Sequence, residues 1–144
     1  MPKPNPKEIV RRFNAEVIEE GNAQSFAELM AADFVNHAAP PGSPNGPESM
    51  WSTFENILRP AISELRVRIE DQIAEGDMVT TRKSVTGILT GRLLGAGPTN
   101  APIAIDVIDI VRVRDGRYAE HWGMNNLAGV VAAIRGATHE EVAS

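Results

Sequence analysis

Four carboxylates, a tryptophan and a histidine lie within one short stretch, and these residue types can move protons or hold a ligand. From Ile103 to Asn126 the chain reads IAIDVIDIVRVRDGRYAEHWGMNN. Asp115-Gly116 near its middle is a dipeptide favoured in two-residue hairpin turns, where both central positions need positive φ. Side chains alternate faces along a strand, so one face of the first arm carries Ile103, Ile105, Val107, Asp109, Val111 and Val113. With a two-residue turn, Val111 opposes Glu120 and Asp109 opposes Trp122, which brings Glu120, Trp122 and Met124 onto that face. An ionised carboxylate on an apolar face is costly unless paired, hydrogen-bonded or protonated. Apolar surroundings would raise the pKa of Asp109 towards the range useful for proton transfer, and the face reads as a pocket wall. His121 falls on the opposite face, unless a single-residue bulge exchanges the two.

A second alternating stretch begins at Leu65. Leu65, Val67, Ile69, Asp71 and Ile73 share one face, and Gly76-Asp77 can turn the chain into a return strand from Met78 to about Thr90. A two-residue loop opposes Asp71 to Arg82 and Glu70 to Lys83, two complementary pairs from one register. Asp71–Arg82 reads either as a structural ion pair or as a cavity-facing anchor for a substrate carboxylate or enolate. Glu120 either lines the pocket or joins that charge network. His37, beside the Pro/Gly-rich loop AAPPGSPNGP, is a further candidate, and His139 in the tail is expected to be inert.

These residues need elements to position them. Residues 1–5 read as a mobile arm, and Asn5-Pro6 is a helix start with Asn as cap. Ile9, Val10, Phe13, Val17 and Ile18 then recur at helical spacing up to Gly21. A second helix is expected over Ala23–Ala31, followed by a short extended piece, Asp33–His37. Gly46-Pro47 opens a third helix whose stripe of Met50, Trp51, Phe54, Ile57 and Leu58 is core or pocket lining. Leu127–Ile134 forms a short closing helix, with a frayed tail from 136. The result is an α+β domain: three helices, a four-stranded antiparallel meander and a terminal helix. The helices should cover the sheet face bearing Asp71, Arg82, Asp109, Glu120 and Trp122.

Composition narrows the classes. At 144 residues a single domain is expected, with its core over about 8–136 and flexible termini. Net charge −5 argues against a general nucleic-acid binder. No apolar run is long enough to span a membrane, and the N-terminus does not read as a secretory signal. The absence of cysteine excludes disulfide and thiolate chemistry and fits a cytoplasmic setting. Three histidines without ligand spacing give no metal site.

Taken in order, FNAEVIEEGNAQSFAELMAADFVNH, the stretch LRVRIEDQIAEGDMVTTRKSVTGILTGRLLGAGPTNAPIAIDVIDIVRVRDGRYAEHW and the final short helix resemble the SnoaL-like polyketide cyclases of the NTF2-like superfamily. The matching pieces include EGD-x-V-x-x-R, TG-x-x-TG-x-x-x-G, D-x-x-R-x-x-DG-[KR] and EHW. This resemblance implies a cone-shaped α+β barrel, with N-terminal helices packed on a curved antiparallel sheet around a cavity. It also implies a homodimer through the sheet's outer face. Members with known activity close a ring by intramolecular aldol condensation of a polyketide ester without metal or cofactor. Ketosteroid isomerase, limonene-epoxide hydrolase and scytalone dehydratase are relatives in the superfamily.

Carried over by position, Asn36 matches a ligand-contacting asparagine, and His37 matches a histidine common at that point. Asp109 stands where the cyclases carry a histidine. The acid of the aromatic polyketide cyclases aligns near Asn126, or Asn125 if the register slips by one, and an amide cannot shuttle a proton near neutrality. Two function classes follow. In the first, the chain is a cofactor-independent acid/base enzyme, nearest to an ester cyclase, acting on a small apolar carbonyl compound. Asp109, His37 and Asn126 form its catalytic set, and Asn36, Trp51, Asp71, Arg82, Glu120, Trp122 and Met124 contact the substrate. In the second, the chain is a non-catalytic protein holding a small ligand in the same cavity, with a hydrolase, dehydratase or isomerase of the superfamily as a further possibility.

Overall fold

The computed structural model describes the backbone of residues 5–143 and the side chains of residues 5–137. Residues 1–4 of the expected arm and the side chain of His139 lie outside them. The first helix, α1 (Pro6–Phe13), starts as its sequence predicts. The Asn5 side chain accepts from the Lys7 N–H, and Pro6 fills a position that needs no donor. The helix widens into a π-helical segment, Asn14–Glu19. Helix α2 (Ala23–Leu29) is capped by Asn22 and stops two residues earlier than expected, because Met30 and Ala31 already belong to strand β1 (Met30–Asn36). Helix α3 (Pro47–Ser52), a π-helical segment Thr53–Leu58 and the short α4 (Arg59–Ala61) follow. The Arg59 guanidinium donates to the carbonyls of Val17, Ile18 and Glu19, satisfying the open end of the first helical unit.

Strands β2 (Ile62–Glu75), β3 (Met78–Leu89), β4 (Pro102–Arg114) and β5 (Arg117–Asn125) form the expected antiparallel meander. Asp115 and Gly116 both have positive φ, as the predicted turn requires. The sheet has a fifth member. Strand β1 pairs parallel with β5, giving the order β1-β5-β4-β3-β2, a mixed sheet that does not close. Helix α5 (Leu127–Ala143) runs well past the expected stop near Ile134. One helical glycine costs about 1 kcal/mol against alanine, so Gly136 is a weak terminator in this alanine-rich segment.

The core lies between the helices and the inner sheet face. Phe13 stacks on Tyr118 and meets Phe54 edge-on, while Val79, Leu89 and Val111 are fully buried beneath. Gly87 lets β2 cross closely over β3, since a Cβ there would lie 2.6 Å from the Ser63 carbonyl oxygen. The helices cover the face of Asp109, as expected. The other polar residues predicted for that face depend on the register of β2 and β5.

Candidate functional site

A cavity of about 190 Å³ sits between the inner sheet face and the first and third helical units. Phe13, Met50, Phe54, Leu58, Val85 and Ile105 supply its apolar wall. Its polar groups are Asn36 from β1, Thr53 from the second π-helical segment, Lys83 from β3, Asp109 from β4, and Tyr118, His121 and Asn125 from β5.

His121 lies inside because β5 carries one extra residue. Val113 opposes Tyr118, but Arg112 opposes Glu120, so Ala119 is a bulge. Tyr118 and Ala119 are both buried, and every later residue of β5 takes the face opposite to that given by strict alternation. Asp109 therefore pairs with Gly123, and Val111 with His121. A Cβ on Gly123 would lie 2.9 Å from His121 Cε1, so glycine leaves room for the ring.

His121 Nδ1 is 3.0 Å from Asn36 Oδ1. That amide oxygen also accepts from the Ala38 N–H, while Asn36 Nδ2 donates to Ser49 Oγ. An oxygen facing Nδ1 makes Nδ1 the protonated nitrogen. His121 Nε2 then faces Asp109 Oδ2 at 3.5 Å. This separation exceeds normal hydrogen-bond length, so Nε2 is not tied to the carboxylate.

Lys83 reaches the same carboxylate oxygen from the other side, with Nζ 3.2 Å from Asp109 Oδ2. Nζ also donates to Asn14 Oδ1 at 2.7 Å, and Asn14 is itself fixed by its Nδ2 donating to the Val10 carbonyl. Burial pushes the Asp109 carboxyl up. The charge of Lys83, joined by that of His121 when its ring is protonated, outweighs burial and holds it below the ordinary carboxylate range. The raised value expected from apolar surroundings is thus corrected, because the buried lysine is a counter-ion. Asp109 Oδ1 is buried and meets no donor among the described residues. Burial, with the Asp109 charge adding to it, pushes the Tyr118 hydroxyl well above its ordinary value.

Other predicted site residues fall elsewhere. Glu70 is the extra residue of β2, since Ile69 opposes Lys83 while Asp71 opposes Arg82. The Asp71–Arg82 pair forms, but on the exposed outer face. Arg82 lies opposite Ile108, one residue out of phase with Asp109. Glu120, Trp122 and Met124 also point outward. Glu120 binds Arg112 and His37, and its carboxyl is held low first by the His37 contact and then by Arg112. His37 stacks on Trp122 on that side and is not in the cavity. Met124 is 80% exposed. Trp51 packs against Phe26 in the core and does not line the cavity. Asn126 binds Asp106 with both ends of its amide outside the cavity, and Asn125 takes the lining position. Asn36 and Asp109 are the two predicted residues that the cavity brings together. Lys83 and Asn14 escape the sequence reading, and strict alternation turns His121 outward. Among the described residues no group of three His, Cys, Asp or Glu side chains is placed to hold a metal.

The model of the SnoaL-like polyketide cyclases matches residues 8–134. The chain belongs to that family. IdmH from Streptomyces antibioticus, a candidate polyketide cyclase, is 26% identical with a TM-score of 0.80, over 92% of this chain and 99% of that one. A candidate polyketide cyclase from Bacillus cereus is likewise 26% identical, with a TM-score of 0.74, over 91% and 80% of the two chains. A protein with a ketosteroid isomerase-like fold from Catenulispora acidiphila is 23% identical, over 88% and 92%, with a TM-score of 0.66. No curated protein sequence matches the chain. The expected NTF2-like α+β fold is therefore that of this SnoaL-like protein, with a parallel edge strand added to the meander. No helix among its described residues is long and apolar enough to cross a membrane.

Proposed function

We propose that this SnoaL-like protein catalyses cofactor-independent proton transfer on a small carbonyl compound held in the cavity, the first half of an intramolecular aldol cyclisation. The placement of His121 supports this reading. Its ring lines the cavity, with Nδ1 engaged by Asn36 and Nε2 left open beside an ionised carboxylate. In the proposed step Nε2 takes the α-proton and the C–H electron pair becomes the enolate. The enolate carbon then bonds to a second carbonyl carbon, and Nε2 returns the proton to the new alkoxide. Asn36 positions His121, and Asp109 stabilises the proton while the ring holds it, which moves the proton-carrying role from the aspartate to its neighbour.

Replacing His121→Gln should lower solvent-deuterium exchange at the α-carbon of a substrate ketone by about 10²–10⁴-fold, followed by NMR. Exchange at the wild-type rate would remove His121 from the chemistry. Asn125 favours a second reading, because an amide lines the cavity near the place where the resemblance puts an acid. A binding protein of the same shape would return its ligand chemically unaltered, with no exchange in the wild type.

A homodimer through the outer sheet face is also proposed. Ile108 and Met124 lie exposed side by side there, next to the Asp71–Arg82 pair.

A further inference from the structure

Lys83 has no part in the proton transfer proposed for His121, yet it is a buried lysine lining the cavity. An ammonium group has three donors. Two are spent, on Asn14 Oδ1 and Asp109 Oδ2, and no third acceptor meets Nζ among the described residues. The two contacts also fix the group. Asn14 cannot turn away because its Nδ2 is bound to the Val10 carbonyl, and Lys83 rises from the middle of a central strand. Charge on the facing elements completes the argument. Among the described residues Asp109 on β4 is the one carboxylate paired with Lys83, and it also faces His121 on β5. Once His121 holds a proton, two cations share one anion. The cavity then carries an excess positive charge that an anionic ligand would balance. Size sets a further bound. About 190 Å³ falls below the roughly 300–1,000 Å³ of pockets for drug-sized ligands, which leaves room for a single ring or its open-chain equivalent.

We infer that Lys83 is the oxyanion-binding residue of the cavity, and that the ligand is a single-ring-sized acidic enol or phenol bound through its anionic oxygen. This inference deepens the proton-transfer reading by naming the substrate class, and a binding measurement tests it separately. The full-length protein is titrated with 4-nitrophenol near the pH where half of the free dye is ionised. The neutral form can then pass its proton to His121, and the absorbance of the bound dye reports its charge. It is also titrated with neutral 4-nitrotoluene, which has the same shape, and with 2-hydroxyanthraquinone, which carries a comparably acidic oxygen on three fused rings. The wild type should prefer the phenolate over nitrotoluene by about tenfold or more, and should bind the three-ring phenol more weakly than the single-ring one. Lys83→Met should abolish the preference. Lys83→Met/Asp109→Asn, which leaves no unpaired carboxylate and so guards against misfolding, should abolish it too. A preference that survives in the folded double variant, an indifferent wild type, or equal binding of the three-ring phenol would overturn the inference. Phenolate selection in a protein that exchanges no α-proton would retain this inference and sink the proton-transfer reading. Exchange without selection would do the reverse.

Discussion

Removing the charge of Asp109 would leave Lys83 without a counter-ion where both side chains are almost wholly buried. Asp109→Asn should therefore lower the unfolding free energy by about 3–5 kcal/mol, and adding Lys83→Met should restore much of that loss. Urea denaturation measures both. The sign of the pH dependence follows from the depressed carboxyl. In the unfolded chain an aspartate titrates near about 3.9. A folded value below that contributes stability that is fully present above about pH 4 and is lost as pH falls through the folded value. In a His121→Gln background, where the ring cannot titrate, the stability lost on Asp109→Asn should stay constant from pH 7 to about pH 4 and shrink below. A loss that already changes between pH 7 and about pH 5 would mean that burial, not Lys83, governs the carboxyl.

At the scale of elements, two of the sheet's extra residues decide which of the predicted side chains meet. Strict alternation holds through β3 and β4, which pair without a shift, and there the inward placement of Asp109 is legible in the sequence. It fails after Glu70 in β2 and after Ala119 in β5. Neither bulge is marked by a glycine, so neither announces itself by residue type. One signal is present in the charges. The unbulged register sets Glu120 against Val111, whereas the bulged one sets it against Arg112, with which it makes a 2.8 Å ion pair. Lys83 is hidden by the same error, because its supposed partner Glu70 is itself the extra residue. Helix starts and hairpin turns are readable because they depend on local chemistry. The parallel pairing of β1 is not, since its partner β5 is remote in sequence and no turn joins them. Deleting Ala119 tests the element directly. With the extra residue gone, Glu120 follows Tyr118 directly, and the pairs Glu120–Arg112 and His121–Val111 become those of plain alternation. His121 should therefore stay on the inner face and α-proton exchange should persist. The Trp fluorescence maximum should stay where it is, because Trp122 remains on the outer face. Exchange reduced as far as in His121→Gln would show that the bulge itself, and not only the register it allows, positions the site.

For the whole molecule, the two sheet faces have divided their tasks. The inner face holds the cavity, and the outer face presents a row running across four strands, Asp71, Arg82, Ile108 and Met124, each paired in register with the next. Half of that row is an ion pair and half is apolar. Ile108 is 53% exposed, Met124 is 80% exposed, and Ile73 stands out nearby. A surface that is polar at one end and apolar at the other can meet a second copy across a twofold axis, with the same patch used on both sides. The open depression beside it, about 510 Å³ and bordered by Glu70, Ser84 and Asp106, gives a partner's side chains somewhere to enter. Stable interfaces bury about 800 Å² per partner, and charge placed at their centre opposes association. Ile108→Glu and Met124→Glu together should therefore convert a dimer in solution to a monomer in sedimentation velocity. Because neither residue lines the cavity, binding of 4-nitrophenol should persist in that monomer. A wild type that sediments as a monomer at all concentrations would show that the outer face stays open to solvent.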